Sequence, residues 1–207
     1  MAFLARVAQS CQNDRVTRSI DLEERRRTVS EAACQVLARD GLGALSVRNV
    51  AAEAGLPPST VRYVFPTQAS VREHALNLVF DGTAARIDAL SASLGGTDFA
   101  HAVLVELLPL DEERRIELDV YLALGTAALT DPELRPFHDR VVDEMRQWCV
   151  RILDAVGVPA ADTEYETRRL HALVDGLALH VVRLDPAGDA TWAIDLLDRH
   201  VAALAAG

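Results

Sequence analysis

Between Thr28 and Val71 the chain runs through three short helical patterns in quick succession, and this punctuation constrains its fold more than any other feature. Thr28 opens an apolar series (Val29, Ala32, Ala33, Val36, Leu37) at helical spacing, and Gly41 stops it. Ser46 is placed to N-cap a second short helix whose Val47, Val50, Ala51 and Ala54 share one face. Gly55-Leu56-Pro57-Pro58 is a turn, because glycine frees the backbone at a helix end and proline is accepted in the first turn of the next helix. Residues 59–65 then form a third short helix, ended by Pro66. Helices this short are marginal alone, so they must pack on one another. They match either three helices of an ordinary all-α domain or a helix-turn-helix. The third presents Ser59, Thr60, Arg62 and Tyr63, donors suited to phosphates and base edges, which favours the DNA-reading motif.

The segment SVRNVAAEAGLPPSTVRYVFPTQASV resembles the N-terminal signature of TetR/AcrR-type transcriptional regulators. The family's usual recognition-helix tyrosine falls on Arg62, the next position on Tyr63, and the second aromatic on Val64. The Arg-x-x-Phe form is similar to a BetI-like branch. Gln68 stands where the family usually carries a lysine, which removes one expected phosphate contact. The resemblance, joined to position on the helices, gives a candidate DNA-contacting set of Arg25, Arg26, Ser46, Val47, Arg48, Pro58, Ser59, Thr60, Arg62, Tyr63, Thr67 and Gln68. It implies an all-α dimeric regulator, a repressor released from a pseudo-palindromic operator by a small molecule held in its body.

The net charge of −10 argues at first against a nucleic-acid partner. Its distribution reverses that: residues 1–80 sum to +2 and residues 81–207 to −12. A mildly basic head on an acidic body fits a protein that touches DNA at one end. All 21 basic residues are arginine, so every phosphate contact from a basic side chain must be a guanidinium. Residues 1–21 read as a mobile extension whose short apolar start is too interrupted for a signal peptide. Arg15 and Arg18 there are candidates for a minor-groove arm. The three cysteines, Cys11, Cys34 and Cys149, form no CxxC pair and no complete disulfide framework. No stretch has the apolar length of a membrane span, and a cytoplasmic protein is expected.

Beyond the head (22–72), a body (73–207) of about five further helices is expected. A helix from Ser70 to Ser93 has Gly82 as a potential kink, Asp98 is the expected cap of the next helix, and Asp111 of the one after, which runs to Thr130. Asp131-Pro132 is the expected start of a long helix through Trp148. Helices at about 163–184 and 191–205 follow. The first of these is apolar over a wide arc and carries Gly176 in mid-helix, at a cost of about 1 kcal/mol against alanine. Close approach of a neighbouring helix accounts for that glycine. With the stripe Trp192, Leu196, Leu197, Leu204 it points to a homodimer seam, the alternative being the monomer's own core.

Candidate ligand-lining groups are His101, Leu104, Tyr121, Leu124, Trp148, Ile152, His171, Asp175 and His180, each of which also suits a plain structural role. An enzyme and a DNA binder without a ligand are the rival classes. No Glu-x-x-His pair, His-x-x-x-His, Gly-x-Ser-x-Gly or phosphate-binding loop is present, so no metal, cofactor or catalytic residue is expected.

Overall fold

The computed structural model describes residues 23–185 and 188–206. Expectations that fall on residues 1–22, the extension with Arg15 and Arg18 and the Cys11 thiol among them, lie outside the described residues. The described chain is all-α, with no strand. Helix α1 covers 23–40, followed by a 3₁₀ turn at Leu42–Ala44. Then come α2 (Val47–Glu53), α3 (Pro58–Val64), α4 (Gln68–Ser93), α5 (Gly96–Glu106), α6 (Glu112–Ala127), α7 (Arg135–Ala155), α8 (Thr163–Val182) and α9 (Thr191–Ala206). The contacts divide the chain into two compact units, Met1–Leu76 and Asn77–Gly207.

The head is closed by local chemistry. Gly41 takes φ +79° and its N–H reaches Leu37 O, which stops α1. Ser46 caps α2 by accepting from the Asn49 N–H. At the other end Gly55 sits at φ +64°, with bonds from Leu56 N–H to Ala51 O and from Gly55 N–H to Ala52 O. This paired closure satisfies the last carbonyls of α2 and turns the chain into α3. Pro58 occupies the first turn of α3, where no N–H is needed. Thr67 and Ser70 cap α4 reciprocally, each side-chain oxygen accepting from the other's N–H at 3.0 and 3.1 Å. The core beneath is aliphatic: Val29, Val36 and Leu37 of α1, Leu45, Val50 of α2, Val61 of α3, and Val71 and Leu76 of α4 are all buried.

The body packs α4 through α9 around one apolar core that includes Ile87, Phe99, Leu104, Trp148, Ile152, Leu170, Val174 and Leu197. Asp111 caps α6 through the Arg114 N–H at 2.9 Å, as its position suggested. Two other expected starts move. Asp98 is not a cap: α5 begins at Gly96 behind an extended Gly95, leaving Asp98 in the first turn, where its charge suits the positive helix end. Asp131 accepts from the Glu133 N–H in a local turn, and α7 begins at Arg135 with proline in its first turn. Helix α6 stops at Ala127, short of Thr130. Gly82 lies inside α4, which runs on without a break.

Candidate functional site

In the head, α3 divides cleanly. Val61 and Val64 are buried, while Ser59, Arg62 and Tyr63 face outward, Tyr63 at 72% exposure. A tyrosine so exposed on a seven-residue helix contributes nothing to the core beneath it. Thr60 is half-buried; Pro58, Thr67 and Gln68 are exposed, as are Arg25 and Arg26 on α1 and Arg48 on α2. Arg39 is tied to Asp40 and to Glu53, each at 2.9 Å. Arg48 and Arg62 have no ion-pair partner among the described residues, which leaves both guanidinium groups available. Val47 departs from expectation. Its side chain is buried in the head's core, so only its backbone can face outward. The Ser46 hydroxyl is already engaged as a cap. Helical spacing put both residues beside Arg48 in sequence, but successive helical residues point 100° apart, and only Arg48 projects.

In the body, residues of five helices line a half-open cavity of about 70 Å³. Phe80 and Thr83 come from α4, Glu106 and Leu107 from the end of α5, and Arg114, Glu117, Leu118 and Tyr121 from α6. Val141, Met145 and Trp148 recur at helical spacing on α7, and Val174, Asp175 and Ala178 line one face of α8. The charges are organised by Arg86 on α4. Its Nε donates to Glu106 at 2.5 Å, Nη2 to Glu117 at 2.7 Å, and Nη1 to Glu113 at 3.1 Å. Arg114 pairs with Asp111 at 2.7 Å, stands 3.6 Å from Glu106, and donates to the Val105 carbonyl. Burial raises the Asp175 carboxyl above its ordinary range, with His171 opposing the rise. Burial, then the Asp175 charge, pushes the Tyr121 phenol up to about 12. The same two causes push the Cys149 thiol up to about 12, and its side chain is fully enclosed.

The sequence-derived ligand set therefore divides. Tyr121, Trp148 and Asp175 line the cavity. Leu104, Leu124 and Ile152 are wholly buried, spent on packing, and do not line it. His101 lies on the surface, paired with Asp198 of α9 at 2.5 Å. His171 stands behind Asp175 at 3.4 Å, outside the lining, and His180 is exposed. Glu106, Arg114, Glu117, Phe80 and Met145 were missed. Charged residues on helices usually mark a solvated face, and their side-chain exposures of 18% for Glu106 and 15% for Glu117 are visible only in three dimensions.

Residues 97–206 match the sequence model of the C-terminal domain of BetI-type transcriptional repressors. Over 173 residues the chain is 35% identical to the HTH-type transcriptional regulator PksA of Bacillus subtilis (strain 168), covering 82% of this chain and 83% of that protein. The chain belongs to the TetR family of transcriptional regulators. Among solved structures, a transcriptional regulator from Rhodococcus sp. Rha1 is similar at TM-score 0.74 and 28% identity, covering 86% of this chain and 95% of that one. The multidrug binding protein EbrR, complexed with malachite green, is similar at TM-score 0.62 and 30% identity, covering 85% of this chain and 97% of that one. The all-α, DNA-binding regulator expected from the N-terminal signature is thus what this TetR-family chain is. None of its described helices is long and apolar enough to cross a membrane.

Proposed function

We propose that this chain is a cytoplasmic homodimeric repressor that reads a pseudo-palindromic operator and leaves it when a small molecule occupies the body cavity. Residues 22–72 take the DNA-reading role, and residues 73–207 hold the effector and the dimer seam. The observation that carries the reading is α3: its apolar side is spent on the head's core, and its other side offers Ser59, Arg62 and Tyr63 to the outside. A helix so divided enters a major groove with its polar face forward. Arg62, free of any carboxylate among the described residues, reaches either a guanine edge or a phosphate. Arg25, Arg26, Arg48, Thr67 and Gln68 serve the flanking phosphates.

Two features support the seam. Trp192 and Leu196 of α9 are 41% and 40% exposed, while Ala193, Leu197 and Val201 of the same helix fill the core. Around Gly176 of α8, a Cβ meets nothing within 4 Å in this chain. The close approach that would justify the glycine is therefore not made within the subunit, and a second subunit supplies it. Sedimentation of the free protein at micromolar concentration should give a dimer, and Gly176→Arg should give monomer or aggregate. A stable monomer for the unmodified chain overturns the seam.

The reading head is tested by Arg62→Ala. Specific operator affinity should fall by about 1–3 kcal/mol if Arg62 reads a base, and by a similar amount on every sequence if it touches phosphate only. Fluorescence anisotropy on operator and scrambled duplexes separates these, and unchanged affinity on both removes Arg62 from the interface. Effector release requires only that the ligand favour the DNA-incompetent state, with a coupling of about 1–3 kcal/mol typical. An operator complex indifferent to every ligand that fills the cavity supports the alternative of a DNA binder without an effector.

A further inference from the structure

One imidazole joins three elements of the head. His74 lies in the second turn of α4, and its Nε2 stands 2.6 Å from the Ser30 hydroxyl of α1, 44 residues away in sequence. The Ser30 hydroxyl has one hydrogen, which goes to the Arg26 carbonyl one turn back, at 2.7 Å. Ser30 Oγ is therefore the acceptor and the His74 Nε2–H the donor, an assignment made from the network of bonds around them. A second proton on the ring leaves that N–H in place, so the bond holds at either charge of the imidazole. The same ring meets Phe65, with centroids 4.6 Å apart and planes tilted by 34°. Phe65 is the residue that closes α3, its N–H donating to the Val61 carbonyl at 2.7 Å. Ser30, Phe65 and His74 are all half-buried and belong to one compact unit.

We infer that His74 is a positioning residue for DNA reading: its bond to Ser30 seats its ring against Phe65 and so fixes how α3 is carried against α1 and α4. The inference rests on reading α3 as the helix that meets DNA. That helix has seven residues and is too short to hold itself in place. Of its side chains only Val61 and Val64 are buried. Two β-branched side chains on so short a helix leave it room to tilt. Phe65 follows Val64 directly, and Arg62 and Tyr63 lie within three residues of it. A shift where the imidazole meets Phe65 is therefore passed to the face that carries them. Through Ser30 the same imidazole holds the turn of α1 that carries Arg26. The reading helix and a flanking arginine are thus referred to one point. Phosphate contacts position a protein and base contacts specify its sequence. A tilted α3 accordingly loses discrimination before it loses general affinity for DNA.

The probe is a duplex that the unmodified full chain enriches from a random pool, set against a scrambled duplex of equal length, both followed by fluorescence anisotropy. His74→Phe keeps a ring for Phe65 and removes the donor. Affinity for the enriched duplex should fall about fivefold or more, while affinity for the scrambled one stays within about twofold. Ser30→Ala removes the acceptor instead, and alanine suits the interior of α1. It should reproduce the loss. The two substitutions together should cost no more than either alone, because residues joined by one bond are not additive. Melting is measured on each variant, and the titrations are run well below the lowest melting temperature, so that a loss of stability alone leaves the ratio of the two affinities unmoved. Unchanged discrimination in His74→Phe, an equal loss on both duplexes, or additive losses in the double variant overturns the inference while DNA reading by α3 stands. Should His74→Phe fail to fold by helical circular dichroism, Ser30→Ala decides alone, with the same loss expected. If the unmodified chain enriches no duplex, the reading of α3 falls and the inference with it.

Discussion

Trp148→Ala should cost the body about 3–5 kcal/mol and lower its melting temperature by roughly 6–20 °C at about 2–4 °C per kcal/mol. The indole is only 9% exposed, and the adjoining Cys149, Ile152 and Leu153 are wholly buried. One side of the ring therefore belongs to the core and the other lines the cavity. Alanine removes both surfaces and leaves a void that packed helices refill only in part. Two effects are then expected in one variant. Thermal melting falls by the amount given. At a temperature where the variant remains folded, affinity for any cavity ligand drops further than affinity for the operator. A melting curve, an operator titration and a cavity titration on the same preparation separate them. Native melting together with native ligand binding would falsify both roles of this residue.

The second large effect is expected at Arg86. Surface ion pairs such as Arg168–Glu164, 74% and 63% exposed, are worth a few tenths of a kcal/mol. The Arg86 cluster is another case, because Glu106 and Glu117 are 18% and 15% exposed and the guanidinium spans both. Arg86→Ala leaves two nearly enclosed carboxylates near one another with Arg114 alone to answer them. Removal of one partner from a buried pair costs about 3–5 kcal/mol; for this partly solvated cluster about 2–4 kcal/mol is the reasonable scale. The loss is mostly the penalty of the stranded acids, so Arg86→Ala combined with Glu106→Gln and Glu117→Gln should recover much of it. Urea denaturation of the single and triple variants measures this. If the triple variant is less stable than the single one, the account in terms of stranded charge is wrong.

What the sequence disclosed, it disclosed where chemistry is local. Ser46 and Asp111 announced helix starts because their side chains accept from an N–H three residues on. Gly41 and Gly55 ended helices because each adopts a positive φ. Asp98 and Asp131 carry the same cap-like residue type, yet the starts fall elsewhere: α5 begins earlier at Gly96, and Asp131 closes a turn instead. A carboxylate suits a cap, a first turn and a local turn alike, and sequence alone does not choose. The outward face of α3 was legible because Val61 and Val64 alternate with polar residues at helical spacing. The cavity was legible only in part. Periodicity separates inside from outside, and so it found Trp148 and Tyr121 along with Leu104 and Ile152. It does not separate a wall from the filling behind it. Glu106, Glu117 and Arg86 escaped because three helices must come together before the one guanidinium bridges both acids.

The enclosed thiol of Cys149 has a use of its own. A thiol pushed up to about 12 and wholly covered is almost entirely protonated and out of reach at neutral pH, so a thiol reagent attacks it only when α7 lifts away from its neighbours. Cys34 lies in the other compact unit, half-buried, with its thiol also raised by burial. With Cys11 replaced by serine and reagent in excess, the Cys149 rate times the opening of its unit, while the half-buried Cys34 reports on the exposure of the other. The chain thus carries its own pair of clocks, and a bound duplex or a filled cavity slows one of them before the other, revealing which half of the molecule it steadies.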